Sequence, residues 1–595
     1  MKANFNSNKY HRSLIFLCSL GLTNAVNYVV QESAIASELL IEPTSNNIAQ
    51  VNEEPTPPPQ PLPEENFQPI QPSLGLEELN PDEQVEIKVQ KITVTGSTIF
   101  GDAEIRNILQ PLAGKTVSLT KLKEKVDDLT QLYLAKGYIT SRAILIQDTV
   151  GTDNIKIRII EGQLEKIEIE GTNRLKNYIR SRINLAADTP LNTAKLEDQL
   201  RLLRIDPLFE NIEASLKAGS SLGKSIVVVR AVESDRFYAT FGIDNYSPPS
   251  VGSERLGIDL AYRNLIKGGD RISASYYPRL EAFTKTFDLG FQYQIPVNAK
   301  NGTITAGADI NRNEIVNPIG DSLDDLDIEG ETEKYTISFR QPIIRDPRQE
   351  LALSLGFDYQ DGQTFLLQGG VPFGDSRGFP FGKGPDDEGV SKTSVFRFGQ
   401  EYIKRQVSGA WAFRSQLNLG VGIFGATDNE GDIPDGQFFS WLGQVQRVQV
   451  FNSSHYLIVQ GDLQLTPDSL LPSQQFVIGG GQSVRGYRQN VRSGDNGFLL
   501  SVEDRLTLFK NRSGESILTF APFFNMGTVW NQGDNPNELP DQNFIAALGI
   551  GLIAEPIKGL NLKLDYAPPL VDLDDRGDNI QDDGLHFSVS YSFSY

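Results

Sequence analysis

From Leu585 onward, apolar and polar positions alternate without a break. Leu585, Phe587, Val589, Tyr591, Phe593 and Tyr595 are apolar or aromatic, and His586, Ser588, Ser590, Ser592 and Ser594 lie between them. Successive side chains of a strand point to opposite faces, so the pattern predicts a strand with one greasy face and one polar face. Its 11 residues match the roughly 9–11 that a tilted membrane-crossing strand needs. A strand that stops on an aromatic, with no turn after it, fits a barrel closed by pairing its last strand with its first. The same alternation recurs at Phe287, Leu289, Phe291 and Tyr293, at Leu351, Leu353, Leu355, Phe357 and Tyr359, and at Leu560, Leu562, Leu564 and Tyr566. Turn-rich and acidic stretches separate these segments. At roughly 10 residues per strand plus alternating short turns and long loops, residues 236–595 accommodate an all-β transmembrane barrel of about 16 antiparallel strands. A barrel that wide encloses water unless something fills it.

Ahead of the barrel the period changes. Lys91-Ile92-Thr93-Val94-Thr95-Gly96 returns 75 residues later as Lys166-Ile167-Glu168-Ile169-Glu170-Gly171. Each copy is a short alternating strand that stops at glycine. In the first copy Leu122, Val126, Leu129 and Tyr133 share one face of a helix, with Ser118 as N-cap and Gly137 at the C-terminal cap. In the second, Leu196, Leu200 and Leu203 repeat the spacing. Strands close each copy, at Ala143–Gln147 and Ile155–Ile160 and then at Ile212–Leu216 and Ile226–Val232. Two α+β units are predicted, over 86–163 and 164–235.

The N-terminus reads as an export signal over 1–36. Lys2, Lys9 and Arg12 precede the apolar stretch Leu14–Val26, and Ala34-Ile35-Ala36 offers a cleavage site. The sole cysteine, Cys18, lies inside it. Leu17 is too bulky for the residue before a lipoprotein cysteine, so Cys18 reads as inert and discarded. The chain that remains needs no disulfide and binds no metal by thiolate. His11, His455 and His586 are scattered, which argues against a histidine metal site. Residues 37–85 carry Pro55, Pro57, Pro58, Pro59, Pro61, Pro63, Pro69, Pro72 and Pro81 among acidic and amide residues, the composition of an extended linker.

Composition narrows the class. Hydrophobic content of 39% and a mean hydropathy of −0.28 exclude a helical membrane protein. The 53 glycines, 32 phenylalanines and 19 tyrosines suit many turns and aromatic girdles. A formal charge of −21 argues against a nucleic-acid partner and weighs against docking on anionic lipid. Gly219-Ser220-Ser221-Leu222-Gly223-Lys224-Ser225 imitates a phosphate-binding loop, but Ala218 stands where the first glycine belongs and a strand follows instead of a helix. It reads as a tight turn, and no nucleotide site is predicted. The acidic stretches Asp321–Glu333, Asp428–Asp435 and Asp572–Asp583 read as solvated loop tips. Arg576 breaks the calcium-loop pattern that begins at Asp572. No nucleophile, base and acid converge, so no enzyme and no cofactor are expected.

The most distinctive local feature is Ile478-Gly479-Gly480-Gly481-Gln482-Ser483-Val484-Arg485-Gly486-Tyr487. It resembles the inward-folded loop of outer-membrane barrels that insert or translocate polypeptides. The order of signal, Pro-rich linker, two repeats, barrel and aromatic last strand resembles one branch, the two-partner secretion transporters of the haemolysin secretion/activation family. Leu471-Pro472-Ser473-Gln474-Gln475-Phe476 and Tyr133-Leu134-Ala135-Lys136-Gly137-Tyr138 are similar to that family too. The resemblance implies that the repeats are POTRA domains. It also implies that Arg485, on the tip Val484-Arg485-Gly486-Tyr487, meets acidic residues of the inner wall. Glu503 matches one such acid. The second falls at Asn525, in Phe523-Phe524-Asn525-Met526-Gly527. Asparagine accepts a hydrogen bond but brings no charge, so the latch is expected to lean on Glu503. An Arg–carboxylate pair has a fixed bidentate geometry. In a watery lumen it contributes only about 0.2–1 kcal/mol, and more if shielded. The competing reading of Arg485 is an ordinary exposed turn residue.

What the resemblance implies is an outer-membrane translocator that exports an unfolded partner protein, with the POTRA units in the periplasm. A POTRA strand edge would capture the partner, and the Arg485 loop would control the pore. Outer-membrane lipid and the barrel assembly machinery are the other implied partners. Phe587, Val589, Tyr591, Phe593 and Tyr595 would form the assembly signal. The alternatives are an insertase that folds other barrels, whose relatives carry more POTRA repeats, and a passive solute porin, against which the periplasmic units argue.

Overall fold

The computed structural model describes residues 86–266, 268–315, 326–368, 371–372 and 377–595. The expected signal peptide, Cys18 and the proline-rich linker lie outside them. The described residues divide into two compact units, one of 86–234 with 268–269 and one of 235–266 with the described residues from 270 to 595.

In the first unit, strand Lys91–Thr95 runs parallel to Asn154–Ile160, which pairs antiparallel with Arg142–Leu145. Helices α1 (Asp102–Leu109) and α2 (Leu119–Ala135) accompany this sheet. The α2 face predicted from spacing, Leu122, Val126, Leu129 and Tyr133, is buried with Ile155, Ile157 and Ile159 of the central strand. Ser118 caps α2, its Oγ accepting the Lys121 N–H at 3.2 Å. Gly137, at φ +85°, takes the chain out of the helix in a conformation that a Cβ would strain.

The same topology repeats. Gln163–Glu170 runs parallel to Lys224–Glu233, which pairs antiparallel with Phe209–Ala218. Helices α3 (Lys176–Ile183) and α4 (Thr193–Arg204) bury Ile179, Ile183, Leu196, Leu200 and Leu203. The two repeats are joined backbone to backbone. The Thr193 N–H donates to the Gly137 carbonyl at 3.0 Å and the Leu191 N–H to the Gly162 carbonyl at 2.7 Å. The phosphate-loop imitation is the turn of the hairpin between Phe209–Ala218 and Lys224–Glu233, closed by Gly219 N–H to Lys224 O at 2.8 Å.

Sixteen long strands close the barrel. They are β1 (Phe237–Asp244), β2 (Arg255–Arg263), β3 (Arg271–Pro278), β4 (Phe287–Pro296), β5 (Thr303–Glu314), β6 (Leu326–Asp346), β7 (Gln349–Gln368), β8 (Val390–Gln406), β9 (Gly409–Gly420), β10 (Phe439–Asn452), β11 (His455–Leu465), β12 (Asn496–Lys510), β13 (Ser516–Trp530), β14 (Phe544–Ala554), β15 (Leu560–Tyr566) and β16 (Leu585–Ser594). All pair antiparallel with their neighbours, and β16 closes on β1 through seven residue pairs, from Ser588↔Asp244 to Ser594↔Tyr238. Short turns alternate with long loops. Along β16 the serines face inward, and Val589, Tyr591 and Phe593 are exposed on the outer wall. The wall is thus greasy outside and polar inside, as a lipid-embedded cylinder around water requires.

One acidic stretch departs from expectation. Glu329, Glu331 and Glu333 are not on a solvated loop tip but on β6, a strand of 21 residues. Arg312 of the neighbouring β5 lies 3.1 Å from Glu333 and 3.7 Å from Glu331, and Arg377 pairs with Glu329. A strand about twice the length needed to cross lipid carries acids where it stands clear of it.

Candidate functional site: the loop inside the barrel

The long connection between β11 and β12 turns into the barrel instead of away from it. Within it, Phe476–Ile478 pairs with Arg492–Gly494 to form a short internal hairpin. The glycines beyond the hairpin make the inward path possible. Gly479, Gly480 and Gly486 all have φ near +100°. A Cβ on Gly486 would lie 2.7 Å from the Ala567 carbonyl and 2.8 Å from the Ala547 methyl, so only glycine lets the tip press against the wall. Val484 and Tyr487 are buried with Ile478, Val491, Leu499, Phe523 and Ile545 in an apolar cluster between loop and wall.

This packing carries Arg485 to the lumenal faces of β12, β13 and β15. Its Nη1 donates to Glu503 Oε2 at 2.6 Å, and its Nε donates to Asn525 Oδ1 at 2.9 Å. The guanidinium carbon sits 3.3 Å from the centre of the Phe523 ring, a cation–π stack. Asn525 is itself fixed by donating to Ser501 Oγ at 2.7 Å. Arg485 and Glu503 are each only 2% exposed. The pair is therefore shielded, and the range that applies to a watery lumen is too low for it. Removing one partner of a buried ion pair costs about 3–5 kcal/mol, because the other charge is left uncompensated.

The sequence reading missed the second acid. Asp565 of β15 lies 3.5 Å from Arg485 Nη1 and 3.2 Å from Lys563 Nζ. Glu503 in turn accepts the Arg505 Nε at 2.6 Å. Three cations thus share two carboxylates. The signal was present: Leu560, Leu562, Leu564 and Tyr566 put Asn561, Lys563 and Asp565 on the lumenal face.

A second clamp, also missed, holds the root of the loop. Arg488 and Arg492 converge on the connection between β15 and β16. Arg488 reaches Asp575 at 3.0 Å and Asp582 at 3.1 Å, and Arg492 reaches Asp575 at 2.8 Å. The stretch Asp572–Asp583 is therefore not simply a solvated tip; Asp582 is buried. Burial pushes the Asp575 carboxyl up, but the Arg492 hydrogen bond and the charges of Arg492 and Arg488 outweigh it and hold that carboxyl below the usual range. Between the two clamps the Tyr487 hydroxyl donates to the Ala546 carbonyl at 2.7 Å and accepts the Val571 N–H at 3.1 Å.

The other predicted set stands apart from this site. Phe587, Val589, Tyr591 and Phe593 lie on the outer face of β16, and Phe593 stacks on Phe241 of β1. Tyr595 is 90% exposed, and its N–H donates to the Phe237 carbonyl at 2.9 Å. Among the described residues no group of three or more His, Cys, Asp or Glu side chains could hold a metal ion.

Two protein families match the chain in sequence. Residues 87–162 match the POTRA domain, ShlB-type, and residues 223–376 and 388–554 match the haemolysin secretion/activation protein ShlB/FhaC/HecB. The outer membrane transporter CdiB of Escherichia coli strain 536 is 23% identical over 439 residues, which span 71% of this chain and 69% of that one. The heme/hemopexin transporter protein HuxB of Haemophilus influenzae strain 86-028NP is 21% identical over 502 residues, 80% of this chain and 82% of its own. Among solved structures, CdiB from Escherichia coli superposes with a TM-score of 0.65 at 20% identity over 89% of this chain and 94% of that one, a likeness of fold.

Proposed function

The chain belongs to the haemolysin secretion/activation (ShlB/FhaC/HecB) family of outer-membrane transporters, and from that premise we propose that it exports an unfolded partner protein through its own barrel, with the Arg485 loop as the gate. The observation that carries the gate is the buried contact of Arg485 with Glu503 and Asn525. A loop that turns into the barrel and is held to the wall by Arg485 at its tip, and by Arg488 and Arg492 at its root, can act as a stopper.

The energetics suit a channel that idles shut. Opening the loop would have to break the buried Arg485 contacts together with the second clamp and the apolar packing, so the closed state would dominate at rest. A passive porin has no use for such a stopper. An arriving partner must supply the difference by binding, and its folding outside then draws the chain through.

Capture belongs to the periplasmic units. Each three-stranded sheet leaves an edge strand, Lys91–Thr95 or Arg142–Leu145 in the first and Gln163–Glu170 or Phe209–Ala218 in the second. An extended segment of the partner would add to one of these edges. The insertase reading is disfavoured by the seam. The seven pairs between β1 and β16 are reinforced by the Thr240–Ser592 hydroxyl contact at 2.8 Å and by Asn245, which donates to Leu585 O and accepts the Phe587 N–H. A route that opens sideways into lipid would have to unzip all of it. The outer face of β16, from Phe587 to Tyr595, is the surface that the assembly machinery would read. The test is deletion of this protein in cells that make its partner: the partner should accumulate inside and vanish from the medium, and undiminished secretion would refute export.

A further inference from the structure

Phe424 is an anomaly that the gate does not use. It lies on the loop between β9 and β10, in a left-handed backbone conformation at φ +54°. An L-residue other than glycine, asparagine or aspartate rarely adopts that conformation, and an aromatic side chain gains nothing from it locally. The ring is nevertheless 70% exposed, and Ile423 beside it is 41% exposed. A strained backbone that holds a large apolar ring out of the protein points to a partner for the ring.

Its surroundings name the partner. Residues 421–427 do not rise from the end of β9. They fold back along the edge of β8, with Val421 N–H donating to Ser394 O, Ser394 Oγ to Ile423 O, and Thr427 N–H to Lys392 O. The Phe424 ring thereby lands two strands away on the outer face of β7, 5.9 Å from the Phe357 ring and 6.3 Å from that of Tyr359. Phe357 also packs on Phe396 of β8. Below them the same outer face continues through Leu355 and Leu353, both exposed, and is the lipid-facing wall itself. Directly above, the apolar band ends at Asp361, which pairs with Lys392 at 2.8 Å. The patch is thus continuous with the membrane interface and lies at its upper rim.

We propose that Ile423 and Phe424 form a wedge inserted among the acyl chains of the outer leaflet. The anchor reaches the mouth of the barrel. Asn429 of the same loop donates to the Gly384 and Pro434 carbonyls at 2.7 Å each, and Phe438 at the loop's end is buried against Leu470, at the root of the gate loop. The loop is therefore a strut between lipid and the roof over the pore.

The chain's only cysteine is Cys18, so a Cys18→Ser background accepts single probes. Phe424→Cys carrying an environment-sensitive fluorophore is reconstituted as full-length protein in phospholipid vesicles. Leu355→Cys serves as the lipid reference and Val407→Cys, in the turn between β8 and β9, as the water reference. Heat-modifiable migration on gels confirms that each variant is folded. The label at 424 is expected to emit as blue as that at 355, to resist aqueous iodide and to be quenched by lipids that carry nitroxide high on the acyl chain. Emission and iodide quenching equal to those at 407 would overturn the wedge.

Discussion

Arg485 lies 3.5 Å from Asp565, a carboxylate 80 residues further along the chain and on a different strand from Glu503. Arg485 is thus received by three wall strands at once. It donates to Glu503 on β12 and Asn525 on β13, and it faces Asp565 on β15. Its two short contacts, 2.6 Å to Glu503 and 2.9 Å to Asn525, are unequal in kind, since one carries charge on both partners and the other on one.

That inequality ranks the wall residues. Arg485→Ala should raise open-channel probability in planar bilayers while the barrel remains at normal abundance. An unchanged open probability at normal abundance would remove the proposed gate. Glu503→Ala should raise open-channel probability in planar bilayers more than Asp565→Ala does, because Glu503 takes the shorter bond and also holds Arg505.

Asn525 offers a gain-of-hold test. Asn525→Asp would add a charge where three cations share two carboxylates. A bond with charge on both partners holds more strongly than one with charge on Arg485 alone, so openings should become fewer. Single-channel recording reads this directly, and an unchanged or higher opening rate contradicts the assigned contact.

The second clamp gives a pH dependence. The Asp575 carboxyl is held below its ordinary range by Arg492 and Arg488. A depressed carboxyl contributes stability that is complete above its ordinary value of about 4 and is lost as pH falls through the lower, folded value. Spontaneous openings should therefore stay constant from neutral pH down to about pH 4 and rise below it. Asp575→Asn should show the raised level at neutral pH and lose that part of the pH response.

In the first periplasmic unit, Leu129 is 1% exposed against the sheet, and the Tyr133 hydroxyl donates to Glu161 at 2.8 Å. Leu129→Ala should destabilise the unit by about 2–5 kcal/mol and Tyr133→Phe by about 1 kcal/mol. Limited proteolysis of the full-length protein should cut the first variant within 86–162 and leave the barrel intact. Equal resistance of both would contradict the packing.

What the sequence made legible was what repeats at short range. Period-two alternation marked β4, β7, β15 and β16, and the spacing of Leu122, Val126, Leu129 and Tyr133 marked α2. The bracketing glycines singled out Arg485 because they mark a backbone that must bend and press close. The rest depended on long-range pairing. Asp565 sits opposite Arg485 only because β15 lies two strands from β13 in the closed wall. Asp575 and Asp582 resemble solvated acids because loops have no periodicity from which burial can be read, and only folding brings Arg488 and Arg492 to them. Glu329–Glu333 carried the composition of a loop on what is in fact a strand extended beyond the lipid.

The most direct measurement ties the Arg485 loop to the wall. Arg488 and Asp582, which meet at 3.1 Å, are replaced by cysteines in the Cys18→Ser background and bridged by a short bifunctional thiol reagent with a reducible centre. If the partner leaves through the lumen past this loop, secretion should stop on bridging and resume on reduction. Secretion that continues at full rate through fully bridged protein would show that the partner takes another path.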